Sequence, residues 1–295
     1  MSSACPLCKA DAKFLFNTKD HNERITDQVF AYWKCSDCKL IFLSDIPADL
    51  GKYYQENYYK IPSLGNLTRI ACTNEYQIKF IMKFVSSGSL LEIGPSFGTF
   101  ALQAKRAGFK VDAIEMDTRC CEFLSKSVGI TTVNSNCPEH AINNLGKHDV
   151  IALWHNIEHL PNPWDFLKEA AKNLNPGGVL LIASPNPDAI GFRILKSMWP
   201  HVDAPRHINL IPVQLLTKYL STVGLELVMM TTKDKGARSW NRVGWQRYLM
   251  NHFSSKAGQM MAFIAGGILS LPLALLELKG MNGSAYTVIY QKKSM

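Results

Sequence analysis

The chain is 295 residues long, 47% hydrophobic and 19% charged, which excludes an extensively disordered protein and is enough for one large α/β domain with an appendage or two small domains. With 32 Lys+Arg against 24 Asp+Glu the formal net charge is +8, a balance that permits attraction to phosphates, nucleic acid or an anionic membrane face without choosing among them. The start, MSSACPLCKADAK, holds no apolar run of signal-peptide length, so a cytoplasmic location is expected, with the eight cysteines as thiols or metal ligands rather than disulfides.

In chain order the first feature is a pair of CxxC motifs, Cys5-x-x-Cys8 and Cys35-x-x-Cys38, each followed by Lys and separated by a span that suits a short antiparallel ribbon. Four thiolates in this arrangement suit tetrahedral Zn²⁺, and a closed four-Cys site leaves no open position, so a structural zinc ribbon is expected over 1–45. A redox pair is the weaker alternative, because redox CxxC motifs come singly at the start of a helix. Cys72, Cys120, Cys121 and Cys137 show no ligand spacing and read as small apolar residues. A connector over 46–87 follows, in which the aromatic-rich ADLGKYYQENYY is expected to be helical.

From residue 88 short apolar runs alternate with amphipathic stretches. SLLEIG, FKVDAIE, ITTV, DVIALW and GVLLIAS read as buried strands with helices between them, the pattern of a parallel sheet covered on both faces. The first strand runs into Glu92-Ile93-Gly94-Pro95-Ser96-Phe97-Gly98, an E-x-G-x-x-x-G turn feeding a helix. It is not the dinucleotide fingerprint, because Pro95 and Ser96 stand where the second glycine of a pyrophosphate cradle belongs. Glu115 ends the second strand, where a carboxylate accepts hydrogen bonds from both ribose hydroxyls. Turn and acid together describe an adenosine site without phosphate contacts.

These residues resemble the class I S-adenosylmethionine-dependent methyltransferases. LLEIGPSFGTF resembles their first motif, with Glu92, Gly94, Pro95 and Gly98 in it, and Glu115 their ribose acid, with Met116 beside it. HDVIALWHNIEHLPNPWDFLKEAAKNLNPGGVLLIASPN and APRHINLIPVQLLTKYLSTVGLELV resemble the branch that includes the ubiquinone-biosynthesis O-methyltransferases. The N-terminal ribbon resembles that of sugar methyltransferases from deoxysugar and surface-polysaccharide pathways. The resemblance implies a Rossmann-like seven-stranded sheet with helices on both faces over 88–295. It also implies S-adenosylmethionine as cofactor, with Asn136 and Cys137 at the adenine edge and Trp154 or His155 near the methionine moiety.

His155-Asn156-Ile157-Glu158-His159 matches the H-x-x-E-H zinc-protease pattern, but DVIALW is a strand and PNPWDFLKEAAKNL a helix, so the motif straddles a turn and cannot bind zinc from one helical face. Some family members resemble E-x-x-E-H metal sites here; His155 in place of the first Glu weakens a Mg²⁺ reading. His155, His159 and, from the opposite loop, His207 are the candidate general bases for a substrate hydroxyl. Pinning of the turn is the alternative role of Glu158 and His159. Arg206 is placed to meet an anionic substrate group.

An insertion over about 236–280 joins a basic, aromatic stretch to AGQMMAFIAGGILSLPLALL, which has no formal charge. Its length suits a membrane span, but the chain must return to supply the strand AYTVIYQKK, and Gly266-Gly267 and Pro272 are expected to break it into a helical hairpin. A monotopic membrane contact through 240–278 is expected, a helical cap or dimer interface being the alternative. The resulting expectation is a methyltransferase acting on a hydroxyl of a sugar or lipid-linked small molecule, cytoplasmic or peripheral on the inner membrane face. An RNA methyltransferase and a non-catalytic interaction module are the competing readings; the modest charge and the apolar run speak against RNA.

Overall fold

The computed structural model describes residues 3–54 and 59–294. At the N-terminus β1 (Ser3–Ala4), β2 (Asp11–Thr18), β3 (Phe30–Cys35) and β4 (Ile41–Leu43) form an antiparallel ribbon, as their Phe, Tyr, Trp and Ile content favours. The two CxxC turns are built alike. Cys5 and Cys35 donate their N–H groups to the carbonyls of Ala10 and Leu40, both at 2.9 Å, and Lys9 and Lys39 reverse the chain at φ 62 and 66.

Of the aromatic stretch expected to be helical, Gly51–Tyr53 is a single 3-10 turn, and 55–58 lie outside the described residues. The helices of this region come later, as α1 (Leu64–Thr73) and α2 (Tyr76–Ile81). Ser63 caps α1 by accepting the Asn66 N–H, and α1 buries Leu67 and Ala71 on the next domain.

The central domain runs β5 (Ser89–Ile93), α3 (Thr99–Arg106), β6 (Lys110–Glu115), α4 (Thr118–Phe123), β7 (Thr131–Asn134), α5 (Pro138–Ala141), β8 (His148–Trp154), α6 (Pro163–Lys172) and β9 (Leu174–Pro185). It continues as α7 (Ile190–Leu195), β10 (Asn209–Leu210), α8 (Val213–Thr222), β11 (Leu225–Thr231), α9 (Lys235–Met250), α10 (Lys256–Glu277) and β12 (Ala285–Lys292). Seven strands form one sheet in the order β11-β12-β9-β8-β5-β6-β7, parallel from β9 to β7, with β12 inserted antiparallel between β9 and β11. This is the sheet expected of a Rossmann-like methyltransferase.

Successive strand residues point to opposite faces, and both faces are buried. Leu91, Ile151 and Leu180 pack beneath α6 and α8, while Leu90, Val150 and Leu181 pack beneath α1, α2 and α3. Pro163 starts α6 at its first turn, where no N–H is needed, and the helix buries Phe166, Leu167, Ala170 and Ala171 at helical spacing.

Two features position the site. β10 pairs antiparallel with β4, so the loop carrying His207 completes the ribbon's sheet, and a third core joins Tyr32, Leu43 and Tyr53 to Trp199, Val202 and Leu210. The insertion after β11 forms a helical hairpin, α9 against α10. The expected break at Gly266-Gly267 and Pro272 does not occur: α10 continues from 256 to 277 with Pro272 inside it, and the chain reverses at 251–255. Gly266 and Gly267 face α9 instead of interrupting the rod.

Candidate functional site

Parallel strands β5, β6 and β8 end at one edge of the sheet, and the site lies there. After β5 the chain bends left-handed at Gly94, Ser96 and Gly98, with φ 64, 54 and 85. Gly94 is also required by close approach, since a Cβ there would overlap the side chain of Asn156 from the β8 turn. The bend aims the Ser96 N–H at Glu115 Oε2, 2.8 Å away, while the Asp117 N–H donates to Oε1 at 2.9 Å. Burial pushes the Glu115 carboxyl up, and these two N–H groups oppose it. Each oxygen retains a lone pair for a further donor.

A cavity of about 80 Å³ opens beside this carboxylate, lined by Gly94, Glu115, Met116 and Asn136. A larger one, about 650 Å³, adjoins it; Gly94, His155 and His159 line both, and Trp154 lines the larger. Glu92, Pro95, Gly98 and Cys137 line neither. Glu92 is buried under the first turn of α3, and burial pushes its carboxyl up to about 8, with the Glu115 charge adding to the effect and the Ala101 N–H opposing it. Pro95 accepts the Gly98 N–H through its carbonyl at 2.9 Å, and the Cys137 thiol donates to Asn136 Oδ1 at 3.4 Å. These four residues shape the turns around the small cavity.

Ser96 Oγ, Trp154 Nε1 and Asn156 Oδ1 are buried beside the bend without a hydrogen-bond partner among the described residues. Buried polar atoms left unpaired are costly, so this set fits a ligand that brings its own polar groups. A nucleoside with its ribose on Glu115 and a polar tail toward Ser96, Trp154 and Asn156 satisfies it; a pyrophosphate finds no glycine cradle here. Ser96 and Asn156 carry no sequence signal of their own, because their positions depend on the left-handed bend.

The larger cavity holds the histidines. His155 keeps β8 in register by donating its N–H to Ala183 O at 2.9 Å, then turns left-handed at φ 52, a backbone that His adopts more readily than most non-glycine residues. Its ring lies 4.8 Å from that of Trp240 on α9, and its Nδ1 stands 3.7 Å from Glu158 Oε1, an electrostatic contact rather than a hydrogen bond. Glu158 is fully buried. Burial pushes its carboxyl up, but His155, His207 and His159 outweigh this and hold it at about 2. Ser184 Oγ donates to its second oxygen at 3.0 Å.

His159 Nδ1 lies 3.0 Å from the Arg206 carbonyl and 2.9 Å from Tyr54 OH, and His207 Nδ1 lies 2.8 Å from the His201 carbonyl. Facing a carbonyl, each Nδ1 carries a proton. Burial, reinforced by His207, pushes His159 down to about 4, so it is neutral at pH 7. Ligand atoms of Glu158, His159 and His207 all lie within 4.8 Å of one another, a carboxylate and two imidazoles that could hold a divalent cation. The large cavity brings the three predicted histidines together. His201 and Trp240 complete it without any motif to announce them: His201 Nε2 donates to the Trp240 carbonyl at 3.0 Å, and burial pushes its ring down to about 3.

Arg206 does not meet a substrate. It is 1% exposed and forks onto two aspartates, with Nη2 2.7 Å from Asp20 Oδ1 and 2.8 Å from Asp203 Oδ1, and Nε 3.0 Å from Asp203 Oδ2. Asp20 comes from the ribbon, 186 residues away in sequence. The expectation fails because the loop's burial against the ribbon turns the guanidinium inward, where two carboxylates neutralise it.

In the ribbon, one ligand atom from each of Cys5, Cys8, Cys35 and Cys38 lies within 4.8 Å of the others, and the closest sulfurs are 3.6 Å (Cys5 to Cys38) and 3.4 Å (Cys8 to Cys35) apart. Tetrahedral Zn²⁺ with Zn–S of about 2.3 Å separates its sulfurs by about 3.8 Å, so the donor set and its spacing fit that ion.

A family model described as a methyltransferase domain matches residues 70–229, more than half of the chain. The ubiquinone biosynthesis O-methyltransferase of Vibrio parahaemolyticus is 25% identical over 129 residues, 42% of this chain and 52% of that protein. The protein of the same name from Caulobacter vibrioides is 29% identical over 103 residues, 33% of this chain and 41% of that one. The chain thus spans about half the length of the curated relatives it matches. Among solved structures, a SAM-dependent methyltransferase from Archaeoglobus fulgidus superposes with a TM-score of 0.51 at 15% identity, covering 75% of this chain and 94% of that one. Coclaurine N-methyltransferase, bound to N-methylheliamine and SAH, gives 0.52 at 13% identity, covering 84% of each. At these identities the structures establish the fold.

Proposed function

The chain belongs to the methyltransferase-domain family, and from that premise we propose that it binds S-adenosylmethionine with the nucleoside in the small cavity and the polar tail reaching Ser96 and Trp154 of the large one, where it methylates a hydroxyl of a small-molecule acceptor. The observation that carries this reading is that His155, backed by the Glu158 carboxylate, lines both cavities. It therefore stands where a donor and an acceptor would meet.

When bound, the cofactor supplies an electrophilic methyl carbon on a sulfonium. Glu115 takes the ribose hydroxyls, and Asn136 and Met116 flank the adenine. Trp154, Ser96 and Asn156 meet the polar tail. Glu158, 3.7 Å from His155 Nδ1, would favour by its charge the tautomer with the proton there, so that Nε2 would accept the proton of the acceptor hydroxyl while its oxygen takes the methyl group and the sulfur keeps the bonding pair as a thioether. Alignment of the two reactants across His155 supplies much of the remaining rate. His159 and His207 flank the acceptor as alternative proton acceptors or as ligands to a cation.

The acceptor we favour is a sugar or a lipid-linked small molecule. In support, Lys60 and the unpaired Asn22 Oδ1 give the cavity a donor and an acceptor for a polyhydroxylated group, while Trp240 and Val243 give it an aromatic and apolar lining. Zn²⁺ on the four ribbon cysteines is proposed to be structural, holding the sheet into which the His207 loop is paired. The protein is proposed to work in the cytoplasm. Calorimetry with S-adenosylmethionine tests the first step, and absence of binding refutes the reading. Methyl transfer from labelled cofactor to a panel of hydroxylated sugars and prenyl-linked acceptors tests the second.

A further inference from the structure

Nine of the twenty exposed large apolar side chains among the described residues lie on α10. Met261, Ile264, Ile268, Leu271 and Leu275 recur every three or four residues and form one stripe, 69% exposed at Leu271 and Leu275. The opposite stripe is small: Gly258, Ala262, Gly266 and Ser270, spaced by four, are buried. It lies on α9, so close that a Cβ at Gly266 would overlap the Gln246 backbone, and Trp245 Nε1 fastens the far end on Glu277 Oε1 at 2.9 Å.

A crossing helix is immersed on all sides. Here one side is committed to α9, which carries Arg238, Arg242 and buried Asn241, and both ends of the hairpin return to adjacent strands of one sheet. The helix, about 33 Å long at 1.5 Å per residue, therefore lies along the molecular surface with its apolar stripe outward. Cations surround it. Lys256 begins α10 and Lys279 follows its end, and Arg242 reaches its middle, with Nη2 3.6 Å from where a Gly267 Cβ would stand. Arg238, Arg242, Lys256 and Lys279 are in no ion pair among the described residues.

We infer that this face docks on an anionic lipid surface, with the α10 stripe in the acyl boundary and the surrounding cations on headgroups. A two-fold dimer through the same face would set each copy's cations against the other's, whereas anionic headgroups complement them. The docking stands independently of the chemistry proposed for the cavity. Resting on that chemistry is one consequence: Trp240 and Val243 of α9, the helix on which α10 packs, line the acceptor cavity, so the hairpin that docks on lipid also walls the cavity that takes a lipid-linked acceptor.

Flotation of the full chain with vesicles of phosphatidylcholine alone and vesicles enriched in phosphatidylglycerol is the test. Capture is expected on the anionic vesicles, reduced but not abolished by high salt. Arg238→Glu with Arg242→Glu should lower partitioning by about fivefold or more for each cation removed at low salt. Ile268→Glu with Leu271→Glu, both at exposed positions, should abolish the salt-resistant part. Cofactor affinity, measured on every variant, is expected to be unchanged and reports separately on the methyltransferase reading. Three results overturn the inference: no capture on any vesicle, full capture retained by Ile268→Glu/Leu271→Glu, or a dimer in light scattering that Ile268→Glu dissociates while vesicles capture neither form.

Discussion

On one side of the central cavities, Gly94, Ser96, Glu115 and Asn136 follow three consecutive strands of the sheet, and backbone N–H groups hold the carboxylate in place. On the other side, His155 and His159 come from the β8 turn, His201 and His207 from the loop before β10 and Trp240 from the hairpin helix α9, and His159 faces the carbonyl of Arg206, His201 that of Trp240 and His207 that of His201. The first side is an edge of the fold and exists wherever this sheet forms. The second is an assembly of loops that exists only when the ribbon, the sheet and the insertion pack together. Damage to the first should therefore be local, and damage to the second should spread.

The largest effect is expected at the junction of the two sides. His155→Asn keeps a residue that tolerates the left-handed backbone and removes the ring, so kcat should fall by about 10²-fold or more while calorimetry finds cofactor affinity unchanged. Equal loss of both would make His155 part of the cofactor side. Next comes the assembled side. Arg206→Met leaves Asp20 and Asp203 buried without their cation and should cost about 3–5 kcal/mol in urea unfolding, with activity falling as the loop loosens and residue 206 no longer holds its carbonyl against His159. A loss below about 1 kcal/mol would mean that the ribbon is not coupled to the site.

Glu115→Ala probes the edge side alone. Cofactor affinity should drop by the about 1.5–3 kcal/mol of a charged hydrogen-bond acceptor, with unfolding midpoints nearly those of the parent; an unaltered affinity would remove Glu115 from the binding site. Metal analysis of protein purified without added zinc should find one Zn²⁺ per chain, lost in Cys35→Ser together with the ribbon's resistance to protease.

The smallest effect per step is that of pH. Burial lowers the folded pKa of His159 to about 4 and of His201 to about 3, below the ordinary 6.5. Below about pH 6.5 the unfolded chain binds protons that the folded one refuses, so stability is complete above that value. It declines as pH falls toward 4, by up to about 1.4 kcal/mol per pH unit for each histidine. His201→Phe should flatten this slope in unfolding measurements between about pH 7 and 5.

Much of this division was visible in the residues themselves. The strands LLEI, VDAIE, VIAL and VLLIA, the turn at Gly94 and the acid at Glu115 are local patterns, because a doubly covered parallel strand must be apolar throughout and a bend beside a ligand needs particular backbone. The two CxxC pairs are equally local at each knuckle. Arg206 shows the converse: its sequence neighbours, Pro205 and His207, say nothing of Asp20, which only the fold brings within 2.7 Å. The glycines of α10 misled similarly, since a glycine that breaks a lone helix is the residue that lets two helices close together.

What the sequence by itself determined is thus what short-range chemistry dictates: the sheet, its cofactor-side turn, the four thiols and the apolar, uncharged run. Tertiary structure alone decided which long-range partners neutralise Arg206, which carbonyls fix the tautomers of His159 and His207, and which stripe of α10 faces outward. Those outcomes depend on desolvation, because a buried charge or imidazole takes its state from whatever the fold places within a few ångströms of it.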